Sequence, residues 1–364
     1  MNPESFVSVI DRVVDKKLPF RVPDCPQDVR SVSEGIAYLL STSHDSAPTT
    51  KDILTQLRRN LPNVLHSAFA REDPIALLDA HKALFAIYEV SFVNPLSPAA
   101  SYEYSTWLID FRSQIEKAWL DYELPRIEDE LPSDGDLAAP GRLAAWFTSQ
   151  ASHETSIDQR VVRFLAEEAN LDHFKFFVLS DAHLNYRFYD ALVLAQLFYS
   201  ETVKAEISRH MWDESGCGDF RRAHTLQFSR ALQTLNLSDT AIPIWDDWRP
   251  YAGYNLYLCF GLSRRHYFKA IGSLAMPELF DPDRDRAVIT GLNRLNFNAK
   301  EQFEYYYSHI EGDEDHGPAW IEKIVIPIVK AQPESARELA IGGAIRMEYM
   351  RHFNLYLSEK FGIA

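Results

Sequence analysis

Glu304 to Trp320 reads EYYYSHIEGDEDHGPAW, and in it His309, Asp313 and His316 fall at i, i+4 and i+7. On a helix that spacing stacks the three side chains along one face about two turns long. Two imidazoles and a carboxylate converging from one face suit a non-haem iron, which takes borderline nitrogen donors together with a hard anionic oxygen. A neutral histidine ligates through one ring nitrogen while a neighbour fixes the tautomer through the other. Gly312 costs about 1 kcal/mol relative to alanine inside a helix. Its presence there points to close packing or a local irregularity at the site. An acidic helix end left in solvent would carry the same residues, so the motif needs a second one beside it.

HMWDESGCGDFRRAH, His210 to His224, supplies that second motif. Glu214 stands ten residues before His224 across a bend containing Gly216 and Gly218. A helix ending at Glu214 and another carrying His224 let both side chains meet at the bend. His210 lies one turn before Glu214 and shares its face, which makes it a weaker ligand candidate. Acids at a helix C-terminus oppose the macrodipole unless something cationic compensates, and a metal would do so.

Outward from these motifs the chain reads as all-α. Ile53, Leu54, Leu57 and Leu61 recur at helical spacing, as do Ile75, Leu78, Leu84 and Ile87. Trp107, Ile109, Phe111, Ile115 and Leu120 begin another amphipathic stretch. Later helices are expected over 161–178 (with Asp158 as its cap), 187–199, 201–214, 254–276, 283–296, 299–311, 319–330 and 334–360. No run of period-two alternation competes with them. Glu130 to Gly141, with two prolines and two glycines, is the best linker, dividing the chain into a smaller helical domain at 1–140 and a larger one at 141–364.

The chain has 364 residues and a formal charge of −15. That balance argues against a nucleic-acid grip, which needs clustered Lys and Arg. Only 14 glycines occur, which disfavours turn-rich β architectures and leaves little for Gly-rich phosphate loops. Cys25, Cys217 and Cys259 are too few and too scattered for a disulfide framework or a cysteine-built zinc site. The opening MNPESFVSVIDRVVDKK carries acids where a signal peptide needs a basic start, and no apolar run approaches the ~18 residues of a bilayer span. A cytoplasmic protein with no membrane partner is expected.

The two motifs together carry a resemblance. His309-x-x-x-Asp313-x-x-His316, preceded by Asp213-Glu214-x-Gly-x-Gly and His224, resembles the haem-oxygenase-like diiron oxidases over about 145–364. The resemblance is nearest to the N-oxygenating branch typified by the streptozotocin-pathway N-oxygenase. It implies a haem-oxygenase-like helical bundle holding two iron ions, with O2 as co-substrate and an external electron donor. It also implies a carboxylate about 30 residues before the His-x-x-x-Asp-x-x-His motif, where Glu278 in GSLAMPEL fits, and another on the helix preceding Glu214. For the latter Asp190 is the choice, with Asp181 and Glu168 as rivals. The implied metal ligands are then Asp190, Glu214, His224, Glu278, His309, Asp313 and His316. No β-rich segment follows the bundle as a cupin domain would, so the typified enzyme's later rearrangement is not expected. The first domain resembles the dimerising region of such enzymes in character and position, which implies a homodimer.

The expected activity is N-hydroxylation or N-oxygenation of a small amino acid or related amine in a natural-product pathway. Arg264, Arg265 and Arg346 are candidates for pairing with a substrate carboxylate. Two other readings compete. One keeps the iron but oxidises carbon, by desaturation or oxidative C–C cleavage. The other is a metal-free helical binding or hydrolytic protein using Cys217 as nucleophile.

Overall fold

The computed structural model describes residues 20, 23–24, 29–42, 48–152, 156–237 and 245–363. The side chains of residues 48–49, 152, 156–158, 311, 313 and 314 are outside the described set. The N-terminal stretch 1–17, Cys25 and the side chains of Asp158 and Asp313 therefore lie outside the described residues. Those described contain helices and turns and no strand, so the protein is all-α. None of its described helices is long and apolar enough to cross a membrane.

The chain divides into two compact units, 1–126 with 244–255, and 127–243 with 256–364. The first unit is built from α1 (Val32–Ser41), α2 (Pro48–Arg71), α3 (Pro74–Glu89) and α4 (Thr106–Arg126). Asp79 on α3 accepts from the Val32 and Ser33 amides and the Ser31 hydroxyl at 2.8, 2.9 and 2.6 Å. That carboxylate satisfies orphan donors at the start of α1. Trp245, Tyr251 and Tyr254 pack round Phe85 in the same unit. Ile109, expected on the apolar face of α4, is half exposed instead.

The division falls at Arg126, earlier than the expected 140, because the supposed linker is anchored to the second unit. Leu137 lies in that unit's core. Trp146 donates to the Glu130 carbonyl at 3.2 Å, and Arg351 and Arg337 reach the Glu130 and Glu128 carboxylates.

The second unit contains α5 (Pro140–Ser152), α6 (Ser156–Glu167), α7 (Leu171–Ala195), α8 (Glu201–Glu214) and α9 (His224–Thr234). It adds the end of α10 (Trp248–Gly261), then α11 (Tyr267–Arg294), α12 (Glu304–Trp320) and α13 (Ser335–Phe361). The expected helix over 161–178 is two helices, because Asn170 and His173 form a reciprocal capping box that restarts the chain as α7. The expected helix 254–276 is broken after Gly261, and its second part, from Tyr267, merges with the helix expected from Asp283 into α11, which carries Pro277 and Pro282 in its interior. The helices expected over 299–311 and 319–330 also rearrange. A short turn at Ala299–Gln302 precedes α12, which runs through Gly312 and Pro318 into a π-helical turn at Ile321–Val325 and a last helical stretch, Ile326–Ala331.

Helix α11 is the spine of this unit, packed against α12, α13 and α6. Its approach to α13 is backbone to backbone. A Cβ on Gly272 would collide with the Leu339 carbonyl, and one on Gly342 with the Lys269 carbonyl. Replacing Gly272 by alanine is therefore expected to overpack the α11–α13 contact and cost roughly 1–3 kcal/mol, read as a lower urea midpoint at unchanged slope.

Candidate metal centre

Helices α8, α9 and α12 bring the side chains of the two motifs together with Glu278 on α11 inside the second unit. The donors sort into two groups of three, each with ligand atoms within 4.8 Å of one another: Glu214, His224 and His309, and His210, Glu278 and His316. In the first, His224 Nδ1 lies 3.1 Å and His309 Nε2 3.7 Å from the Glu214 carboxylate. In the second, His210 Nδ1 and His316 Nδ1 each lie 3.6 Å from Glu278. His309 and His316 are seven residues apart on α12, a rise of roughly 10 Å. The groups are thus neighbours along α8 and α12 rather than one centre.

Local backbone features set these positions. Between α8 and α9 the chain reverses through Gly216, Cys217 and Gly218, all with positive φ (83°, 54° and 87°). At Gly216 a side chain would also strike the Asp219 carbonyl and the Ala223 amide. The turn delivers His224 to the start of α9, opposite Glu214. Gly317 does the equivalent for the second group. A Cβ there would come within 2.7 Å of the Glu278 carbonyl oxygen, so only glycine lets α12 close on α11 where His316 meets Glu278. Pro282 has no N–H to offer that same carbonyl. At Gly312 a Cβ would make only ordinary van der Waals contact with the His316 ring, at 3.4 Å, so the expected close packing does not by itself require glycine there.

His210, Glu278 and His316 are all buried, and the first three donors are nearly so. Burial alone would raise both carboxyl groups. The adjacent imidazoles outweigh it, holding Glu214 below the ordinary carboxylate range and Glu278 down to about 2. Both ring nitrogens of His210, Nδ1 of His224 and Oε2 of Glu278 are nonetheless buried without a hydrogen bond. Unsatisfied buried donors and acceptors aimed at one another are expensive. A cation between them removes that cost. Each group, two imidazoles and one carboxylate, is the donor set that leaves open positions on a non-haem Fe2+.

The ring orientations are fixed from behind. His309 Nδ1 is 2.7 Å from the Tyr305 carbonyl, and a carbonyl only accepts, so that nitrogen carries the proton and Nε2 faces Glu214. His210 turns its Nε2 to Glu206 at 3.5 Å.

Beside both groups lies a cavity of about 40 Å³ lined by Glu214, Glu278 and His309 together with Asp181, Asp281, Asp285, Arg284 and Arg346. That is space for a few waters or a small ligand. Arg284 sits among three of these carboxylates, 3.1 Å from Asp281, 3.7 Å from Asp285 and 3.9 Å from Asp181. Burial pushes the Asp285 carboxyl up to about 7 against the opposing pull of Arg284. Arg346 is buried, with its guanidinium 4.7 Å over the Tyr257 ring.

Several sequence expectations come out differently. Asp190 joins neither group; it pairs with Arg187 at 3.3 Å. Its rival Asp181, nine residues earlier on α7, lines the cavity. Nine residues is two and a half turns, so the two cannot face the same way. Glu168, exposed, precedes α7 altogether. Asp313 lies on α12 with its side chain outside the described residues. Arg264, exposed, covers the Phe198 and Tyr267 rings, and Arg265 donates to His266; only Arg346 of the three lines the cavity. Cys217 is exposed, and burial of the sulfur and then Asp213 raise its thiol pKa, which is opposite to what a nucleophile needs.

Residues 175–350, which contain all six donors, match the model of a family described as iron-containing redox enzyme. Among solved structures, the chain is similar to a CADD-like protein of unknown function from Nostoc punctiforme PCC 73102. Identity is 14%, coverage is 61% of this chain and 97% of that one, and the TM-score is 0.49. No curated protein matches the sequence.

Two separate groups predict two separable losses. Anaerobic titration with Co2+, followed by visible absorption, is expected to saturate at two equivalents for the intact chain. His210→Ala and His224→Ala are each expected to saturate at one.

Proposed function

We propose that the chain is a non-haem diiron oxygenase that transfers oxygen to the amine nitrogen of a small amino acid or related amine. The observation that carries this is the pair of adjacent two-histidine, one-carboxylate groups beside one cavity that Glu214, His309 and Glu278 help to line. The family match over 175–350 supports iron and redox chemistry. The six donors would hold two irons, and Asp181 on the cavity wall is the candidate for a further carboxylate ligand. When bound, iron supplies the reduction of O2, with electrons from an external donor, and the transfer of an oxygen atom.

The chain's own residues do the rest. Arg346 on the cavity wall would pair with the substrate carboxylate and leave its amine toward Glu214 and Glu278. An ammonium has no lone pair to oxidise, so its proton must leave. The Asp285 carboxyl, lifted to about 7 and lining the same cavity, can accept it at Oδ1, which has no hydrogen-bond partner. The phenol pKa values of Tyr257 and Tyr305, both on the cavity wall, are raised by burial. Both rings therefore stay neutral and help keep bulk water out.

The test is aerobic turnover of Fe2+-loaded protein with a panel of amino acids and a chemical reductant under 18O2. An N-hydroxy or further N-oxidised product carrying the label is expected, and Arg346→Gln should raise KM for it at least tenfold with kcat less affected. Labelled or unsaturated carbon products in place of it would replace N-oxygenation with carbon oxidation. Absence of iron uptake would dismiss both.

A further inference from the structure

Asp213 belongs to neither donor group, yet it touches one of the donors. Its Oδ2 is 2.9 Å from Nε2 of His316. A carboxylate only accepts, so the proton of this hydrogen bond sits on the imidazole. His316 then turns its other nitrogen, Nδ1, to Glu278 at 3.6 Å. This is the reverse of His309 on the same helix, whose Nδ1–H is spent on the Tyr305 carbonyl and whose Nε2 faces Glu214. Asp213 is itself held in place. The Cys217 thiol, in the positive-φ turn, donates to its Oδ1 at 3.2 Å, and Arg209 lies 3.6 Å from Oδ2.

We propose that Asp213 is a positioning residue that fixes His316 as the Nε2–H tautomer and so commits it to bind metal through Nδ1, opposite to His309. The proposal rests on the metal-binding reading above and adds to it which nitrogen binds and what enforces the choice. The turn after α8 then has two tasks: it delivers His224 to the first group, and through Cys217 and Asp213 it orients a ligand of the second. Orienting partners of this kind affect metal affinity by about 10–100-fold.

Two measurements on the full chain test it. The first is 15N NMR of histidine-labelled, metal-free protein at a pH where the rings are neutral, with a His316→Gln spectrum identifying the His316 signals. A His316 protonated at Nε2 in the intact chain, shifting to a tautomer mixture in Asp213→Ala, is expected. The second is Co2+ affinity. Asp213→Ala is expected to weaken one of the two equivalents about 10–100-fold and to change its ligand-field spectrum. Asp213→Asn, whose amide oxygen still accepts, should recover part of the loss at the same melting temperature. An Nδ1–H tautomer in the intact chain, or unchanged cobalt affinity in Asp213→Ala, overturns the proposal. An intact chain that takes up no cobalt overturns the metal reading instead, and is recognised because the failure precedes any substitution.

Discussion

Glu278 is a carboxylate buried in the middle of a helix, with an imidazole on either side and one oxygen lacking any hydrogen bond. Such a group is tolerated only if a positive charge reaches it. Protonating both histidines could supply that charge, but it would place two imidazolium rings 4.1 Å apart between centroids. A single divalent cation does the same without repulsion, and it uses the nitrogens that are otherwise stranded. The same reasoning holds for Glu214 between His224 and His309, whose ring centroids are 4.4 Å apart. The second unit is organised so that these two awkward clusters lie side by side.

That organisation depends on places where side chains are missing. Gly272 and Gly342 let α11 and α13 touch, Gly317 lets α12 close on Glu278, and Gly216 and Gly218 turn the chain between α8 and α9. The chain is poor in glycine overall, and several of the glycines it has stand where α8, α11, α12 and α13 must approach. This explains how an interior otherwise packed with aromatic and aliphatic residues can admit six polar donors at close range.

Much of this was legible from spacing alone. The i, i+7 pair His309 and His316 and the turn joining Glu214 to His224 carried enough geometry to select four of the six donors. Glu278 came only from the family resemblance, since its local sequence, next to two prolines, reads as a helix end. The prolines do not end α11, because packing on both of its sides holds the helix where propensity would break it. His210 was visible as sharing a face with Glu214, but nothing local says that α11 passes opposite it. Asp190 and Asp181 lie on opposite sides of α7, and of the two only Asp181 lines the cavity. Without knowing which face of α7 meets the cavity, two acids on opposite sides of one helix look equally good. Asp213 entered the sequence reading only as part of the motif around Glu214, and only the fold brings His316, 103 residues later, to its side chain.

The central claim, that two irons sit in two distinct nitrogen-and-oxygen sites of one chain, is tested most directly by Mössbauer spectroscopy of protein loaded anaerobically with 57Fe2+. The account predicts two equally populated high-spin ferrous quadrupole doublets at two irons per chain. A single doublet at one iron per chain, or iron that washes out on desalting, would contradict it.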